Sequence, residues 1–345
     1  MNDGFEACLE GWSLRPVRGG SETPGPGKNE ALLCQARGRP ERVLVKRAHG
    51  SASHWVRREG IYLQLLAPLA EVSGSPLELP RLWAFDGDLG ILALEWIAQG
   101  EPLHVTHQRT RHYDALVARR IGRGLGFLHR TTHASPERFA LDDGFGEQSD
   151  PLESFVRLRP ELYARLNPAT LQLYSSVHHD GEALAALHAL SAFEPAAGAL
   201  VHGDFRLVNL LRAGRGEPSR LVFLDWELAH WGDPARDVGS LLTDYTLLWL
   251  DARSEADVAA TPAIRAFLRA LLAAYREERG DAFALERDFS TRVVRWAGLA
   301  LLVHVHTMTR DTHVFDERTA LFTEYGRRML ATPEQWEEPL WGEGA

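Results

Sequence analysis

The spacing of apolar and polar residues changes character about a hundred positions into the chain. Before that point the apolar runs are short. Ala31-Leu32-Leu33-Cys34 and Arg42-Val43-Leu44-Val45-Lys46 predict strands, separated by the turn-prone Arg37-Gly38-Arg39-Pro40. Between about Ser53 and Leu66 the period lengthens. Trp55, Ile61, Leu65 and Leu66 fall roughly on one side of a helix that Pro68 is expected to close. Two more strands are predicted, over Arg81–Phe85 and Gly90–Trp96, with Asp86-Gly87-Asp88 as the hairpin turn between them. This part reads as sheet plus one helix.

After Gly100 helical periodicity takes over. Tyr113–His129 places Leu116, Ile121, Leu125 and Leu128 on one face. The exception is Val201–Asp225, which reads strand, loop, strand, hairpin, strand. Pro136–Phe155 reads as an acidic loop, with six acids against one arginine. The expected fold class is α+β and bilobal. A small antiparallel β-sheet lobe with one helix, residues 1–98, precedes a larger, mainly helical lobe, residues 99–345.

Composition narrows the function classes. A chain of 345 residues with 45% hydrophobic and 25% charged residues has ordinary globular make-up, so disordered and fibrous classes are excluded. The net charge of -9 argues against nucleic acid as a partner and weakly favours a cationic or metal-bound ligand. Two cysteines, Cys8 and Cys34, make no disulfide framework and point to a reducing compartment. The start of the chain shows no signal-peptide pattern, and no apolar stretch is long enough to span a bilayer. The expectation is a cytoplasmic protein with no membrane partner. Of the 38 basic residues only Lys28 and Lys46 are lysines. In so arginine-biased a chain, a lysine at a chemically demanding position carries extra information.

The chemistry concentrates in two stretches. The first is His202-Gly203-Asp204-Phe205-Arg206-Leu207-Val208-Asn209. The second is Leu224-Asp225-Trp226-Glu227, continuing to Gly232-Asp233-Pro234 and Asp237. Asp204 and Asn209 share a loop, and Asp225 follows an apolar strand. Their oxygen-only donor set suits Mg²⁺ rather than zinc. Two carboxylates and an amide can clamp a metal–triphosphate and leave one carboxylate free as a base. The bland alternative, that Asp204 and Asn209 only cap loops, is the weaker reading. Glu227 is either a metal neighbour or a helix-start carboxylate.

The pattern H-G-D-x-x-x-x-N, followed by L-D-W-E-x-A-x-x-G-D-P-x-x-D, resembles the aminoglycoside phosphotransferase and choline kinase family, within the protein-kinase-like fold. The resemblance covers about residues 15–330. It implies that Asp204 is the catalytic base or orienter of an acceptor hydroxyl. It implies that Asn209 and Asp225 ligate Mg²⁺, that His202 supports the catalytic loop and that Asp237 braces it. Lys46 matches the lysine that holds the α- and β-phosphates of ATP, and Glu59 its ion-pair partner. Leu94-Glu95-Trp96-Ile97 matches the interlobe hinge, so Glu95, Trp96 and Ile97 are expected at the adenine. One departure stands out: there is no G-x-G-x-x-G phosphate loop, and Gly19-Gly20 or Pro24–Gly27 would have to stand in.

The expected function is an ATP- and Mg²⁺-dependent kinase acting on a hydroxyl. The acceptor is either a small molecule, such as an aminoglycoside or amino-alcohol, or Ser/Thr of a natural-product precursor peptide. The peptide case would belong to RiPP biosynthesis of lanthipeptide or thioamitide type, with a partner eliminase. The alternative class is a pseudokinase that binds nucleotide or a partner without turnover, for which only the indistinct glycine loop speaks. His304, His306 and His313 resemble a metal set, but His304 and His306 are two apart and point to different faces of a helix, so packed or solvated histidines are expected. The Trp336 and Trp341 tail is expected to pack on the surface.

Overall fold

In the computed structural model the described residues are 3–17, 30–48, 53–141, 150–214, 219–280 and 288–336. Both candidate glycine stretches, Gly19-Gly20 and Pro24–Gly27, lie outside them, as do Lys28 and Trp341. In chain order the first elements are α1 (Asp3–Gly11), β1 (Leu14–Pro16), β2 (Glu30–Ala36), β3 (Arg42–Arg47), α2 (Ser53–Ala70), β4 (Leu82–Asp86), β5 (Ile91–Glu95), β6 (Glu101–Pro102) and α3 (Leu103–Thr110). Then come α4 (Ala115–Thr132), the short α5 (Pro136–Phe139), α6 (Pro151–Val156) and α7 (Pro160–Tyr163), then α8 (Pro168–His178), α9 (Gly181–Ser191) and β7 (Ala199–Val201). The last are β8 (Leu210–Ala213), β9 (Arg220–Phe223), β10 (His230–Gly232), α10 (Ala235–Ser254), α11 (Ala260–Arg279), α12 (Phe289–Thr312) and α13 (Glu317–Ala331).

The sequence-based division cuts the chain once, at 98/99. By compactness the chain groups as two interleaved units: Met1–Arg109 with His202–Ala229, and Thr110–Val201 with His230–Ala345.

In the first unit an antiparallel five-stranded sheet runs in the order β1-β2-β3-β5-β4. Strand alternation sorts its side chains by face. Val43 and Val45 of β3 join Ile91 and Ala93 of β5 in a core with Leu9 and Leu14, against which Phe5 and Trp12 pack. Lys46, one step out of phase with Val45, therefore points to the opposite face, the one covered by α2. Gly60 of α2 lies so close to this sheet that a Cβ there would overlap the Phe85 ring. The Asp86–Gly90 turn is held by Asp86 Oδ1, which accepts from the backbone N–H of Asp88 at 3.0 Å and of Leu89 at 2.9 Å. A second sheet, β6-β8-β9, carries the segment between the two motifs.

Three local expectations change. Residues 1–98, for which one helix is predicted, have a second, α1; Phe5 and Leu9, one turn apart, give it the apolar edge that packs on the sheet core. Pro68 does not end α2. It sits in the last turn, where its missing N–H costs one hydrogen bond, and Glu71 N–H still donates to the Ala67 carbonyl at 3.0 Å. Pro136–Phe155 is not all loop. Prolines at the first position of a helix start α5 and α6, and Asp150 caps α6 by accepting from Leu152 N–H; residues 142–149 lie outside the described part.

The second unit is built on helix pairs. Its α4 packs on α11, and α12 packs on α10 and α13. The buried face of α4 comprises Val117, Ala118, Ile121, Gly122, Leu125 and Leu128, while Leu116, assigned to that face from its spacing, is 39% exposed. Glycines set the crossings. A Cβ on Gly122 would meet the Leu271 carbonyl oxygen, and one on Gly298 would lie 2.7 Å from the Gly326 carbonyl oxygen. Strands β7 and β10 pair antiparallel, with Val201 opposite His230. Among the described residues no helix is long and apolar enough to cross a membrane.

Candidate active site

Alternation along β3 aims Lys46 at α2, and the helix answers with Glu59. The Lys46 Nζ lies 2.9 and 2.8 Å from the two Glu59 carboxylate oxygens and 3.0 Å from Asp225 Oδ1. Three segments distant in sequence thus converge on one ammonium. Glu59 is 1% exposed and Asp225 is 38% exposed, so the ammonium joins a buried carboxylate to an accessible one. Burial disfavours the charged form of Lys46, but the carboxylates of Glu59 and Asp225 outweigh it and hold the ammonium above its usual range. Burial pushes the Glu59 carboxyl up, to about 7, against the pull of Lys46; the charges of Asp225 and Glu227 add to the rise.

Asp225 adopts a left-handed backbone, φ 66° and ψ 62°, and leads into the 3₁₀ turn Trp226–Leu228. A non-glycine residue in that region is uncommon and persists only where its surroundings fix it. Here the fixing is visible on both sides. Leu224 N–H donates to the Asn209 carbonyl at 2.9 Å, and Trp226 is fully buried with its indole N–H on the Phe223 carbonyl at 3.0 Å.

The loop carrying Asp204 is tied to the same segment through His202. The buried imidazole has Nε2 2.8 Å from the Leu224 carbonyl oxygen and Nδ1 3.4 Å from Asp204 N–H. A carbonyl only accepts and an amide only donates, so the ring is the Nε2–H tautomer. It is flanked by Trp226 and Phe205, with centroids 4.6 and 5.6 Å away. His202 is therefore a strut between the two motifs. Asn209 Nδ2 donates to the Asp204 carbonyl at 2.9 Å and to Asp204 Oδ2 at 3.1 Å, which fixes the carboxylate and commits the amide nitrogen. The amide oxygen of Asn209 is left as the available donor atom for a metal.

At the end of β5, Glu95 makes a bidentate contact with Arg220 at 2.5 and 3.2 Å, and its Oε2 also accepts from Arg81 N–H. Burial acts against ionisation, but the hydrogen bonds from Arg220 and Arg81 and the charge of Arg220 win, holding Glu95 below the usual carboxylate range. The backbone N–H of Trp96 donates to the Arg42 carbonyl at 3.1 Å, and the Ile97 carbonyl accepts from Gly100 N–H at 3.3 Å. Of the two, only Trp96 has its amide engaged in these contacts.

Oxygen donors and a surplus of carboxylate over cation fit Mg²⁺, which is held by one or two protein carboxylates together with phosphate oxygens and water. Among the described residues no group of three or more His, Cys, Asp or Glu side chains forms a metal cage. The three late histidines are separate. His304 lies beside Phe322, His306 beside Tyr174, and His313 ends α12 in a left-handed turn. Asp237 is buried in the second unit, with Oδ2 3.2 Å from His129 Nε2. Trp336 packs edge-on against Tyr325 at 5.7 Å.

Arg58 escapes a reading by motif. It is buried, and it donates to the backbone carbonyls of Glu227 and Ala229. Backbone acceptors leave no mark in a side-chain pattern. The one available signal is its adjacency to Glu59.

A family model described as the phosphotransferase enzyme family matches residues 24–284. The chain belongs to that family. Its fold is protein-kinase-like, and similar solved structures share it. An ethanolamine kinase from Plasmodium vivax has a TM-score of 0.57 at 12% identity, covering 93% of this chain and 83% of that one. Choline kinase LicA from Streptococcus pneumoniae has a TM-score of 0.53 at 16% identity, covering 96% and 99%. A spectinomycin phosphotransferase solved with ADP and spectinomycin has a TM-score of 0.50 at 12% identity, covering 93% of each chain. At these identities the likeness is one of fold. No curated protein sequence matches the chain.

Proposed function

We propose that this phosphotransferase moves the γ-phosphoryl group of ATP, with Mg²⁺ present, to a hydroxyl of a small amine-bearing molecule. The observation that carries the reading is the bridge from Lys46 to both Glu59 and Asp225, beside an Asp204 held by Asn209. Phosphoryl transfer asks little covalent chemistry of a protein and much positioning of charge. Lys46 is a compact cation for the α- and β-phosphates, and Glu59 fixes its direction. Asp204 orients the acceptor hydroxyl and takes its proton, with Asn209 holding its carboxylate and the His202 strut holding its backbone. The backbone around Glu95, Trp96 and Ile97 receives the adenine. Asn209 and Asp225 would hold Mg²⁺, which when bound neutralises charge on the phosphate oxygens. Two observations support the acceptor class: the choline, ethanolamine and spectinomycin of the similar kinases are hydroxyl-bearing amines, and the net charge of -9 favours a cationic ligand.

The test is an intact-mass assay with ATP and Mg²⁺ on two acceptor panels. One holds amino-alcohols and aminoglycosides, the other Ser/Thr peptides. A gain of one phosphate on a small molecule is expected. A gain confined to peptides would contradict the acceptor class and revive the peptide-pathway reading with its eliminase. MgATP binding with no transfer to either panel would restore the pseudokinase alternative.

A further inference from the structure

Helix α2 offers two consecutive charged side chains to its unit. Glu59 belongs to the Lys46 cluster. Arg58 has no part in the reading above, yet it is 6% exposed, as deeply placed as a core residue. Its Nε donates to the Glu227 carbonyl at 3.3 Å and its Nη2 to the Ala229 carbonyl at 2.5 Å, while the guanidinium sits 5.5 Å from the Tyr62 ring centre. Those two carbonyls close the 3₁₀ turn Trp226–Leu228, whose leading residue is the left-handed Asp225. Carbonyls at the end of a helical turn lack partners inside it, and a planar fork of N–H donors can serve two at once.

Neighbouring residues on a helix point about 100° apart. One helix can therefore hold the far end of the Asp225 turn through Arg58 and the near end through Glu59 and Lys46. Arginine is common in this chain, so its identity says little; the burial and the two backbone acceptors carry the argument.

We propose that Arg58 is a positioning residue for phosphoryl transfer: it clamps the turn that presents Asp225 to helix α2, so that Asp225 and Glu59 reach Lys46 together. The inference rests on the assignment of Lys46, Glu59 and Asp225 to nucleotide phosphates and metal.

The test uses the full chain. Affinities for MgATP and for adenosine, which lacks phosphates, are measured by calorimetry in wild type, Arg58→Met, Arg58→Lys, Glu59→Gln and the Arg58→Met/Glu59→Gln double variant. Arg58→Met is expected to weaken MgATP about tenfold, the loss of hydrogen bonds from a charged donor, and to leave adenosine unchanged. In the Glu59→Gln background the same change is expected to cost less than about twofold, because Lys46 has then lost the carboxylate that fixes its direction and the clamp no longer brings a fixed ammonium and Asp225 together. Arg58→Lys, which keeps the charge but not the fork, should show the same pattern at smaller size and serves if Arg58→Met does not fold. Equal losses for MgATP and adenosine, or an undiminished penalty in the Glu59→Gln background, would reduce Arg58 to a structural residue and overturn the proposal. Wild-type protein that binds adenosine but gains nothing from the phosphates and Mg²⁺ would instead sink the functional reading on which it rests.

Discussion

A single ammonium between two carboxylates is the feature on which the site turns. Lys46 is compact enough to meet both oxygens of Glu59 and one of Asp225 within 3.0 Å, a geometry suited to a point charge on a flexible stem. Arginine would bring a planar fork that cannot converge on the same point. In a chain whose 38 basic residues include only one other lysine, this explains why lysine stands here. Both Lys46→Arg and Lys46→Met are expected to lower kcat/KM by about 10²-fold with near-unchanged circular dichroism, the scale of losing one preorganised charge donor. Steady-state kinetics beside a thermal melt would separate this from unfolding. At this scale the sequence is informative where side chain meets side chain. The spacing of His202, Asp204, Asn209 and Asp225 brings together groups that the structure also brings together. Where a side chain meets backbone, as Arg58 does with the carbonyls of Glu227 and Ala229, one sequence has nothing to pair it with.

Elements are held by contacts that hydrophobic counting sees only in part. The stripe on α4 is visible from Ile121, Leu125 and Leu128, yet its centre is Gly122, whose missing side chain lets α4 reach the α11 backbone. Leu116, which spacing assigns to that stripe, lies on its exposed rim. Gly122→Ala would drive a Cβ into the Leu271 carbonyl oxygen and towards the Tyr275 amide nitrogen at 2.9 Å, both backbone atoms that cannot turn aside. A loss of about 1–3 kcal/mol is expected, read as a lower urea midpoint. Gly181→Ala, at the start of α9 where nothing lies within 4 Å, is the control and should be neutral or stabilising by about 0.4–1 kcal/mol. The helix α1 is not legible in the sequence for a related reason: nine residues with Phe5 and Leu9 as the apolar edge form a marginal pattern until the sheet supplies a surface.

Over the whole molecule, the segment His202–Ala229 belongs by compactness with the first 109 residues, so the nucleotide-handling candidates and Asp204 share one unit. A single boundary near residue 99 could not show this, because sequence order hides an interleaved chain. The second unit carries its own buried polar centre. His129 lies between Tyr275 Oη at 2.9 Å and Asp237 Oδ2 at 3.2 Å, with Arg279 and Asp233 nearby. Its Nε2–H donates to the carboxylate and its Nδ1 accepts from the phenol, which satisfies a neutral ring. Burial lowers the His129 pKa, opposed by Asp237 and Asp233 and aided by Arg279. The folded protein therefore resists a proton that the unfolded chain accepts near the ordinary histidine value. This contribution is present above that value and is lost as pH falls below it. The urea midpoint should drop from about pH 7.5 to about pH 5.5, and drop less in His129→Gln. An identical pH dependence in that variant would remove His129 from the account. Whether these groups form a phosphoryl-transfer site is tested by Asp204→Ala, with MgATP affinity and phosphate transfer measured on the same preparation. Affinity within about twofold of wild type is expected, with transfer reduced by at least about 10²-fold, the scale of a positioned general base. Transfer at the wild-type rate from that variant would contradict it.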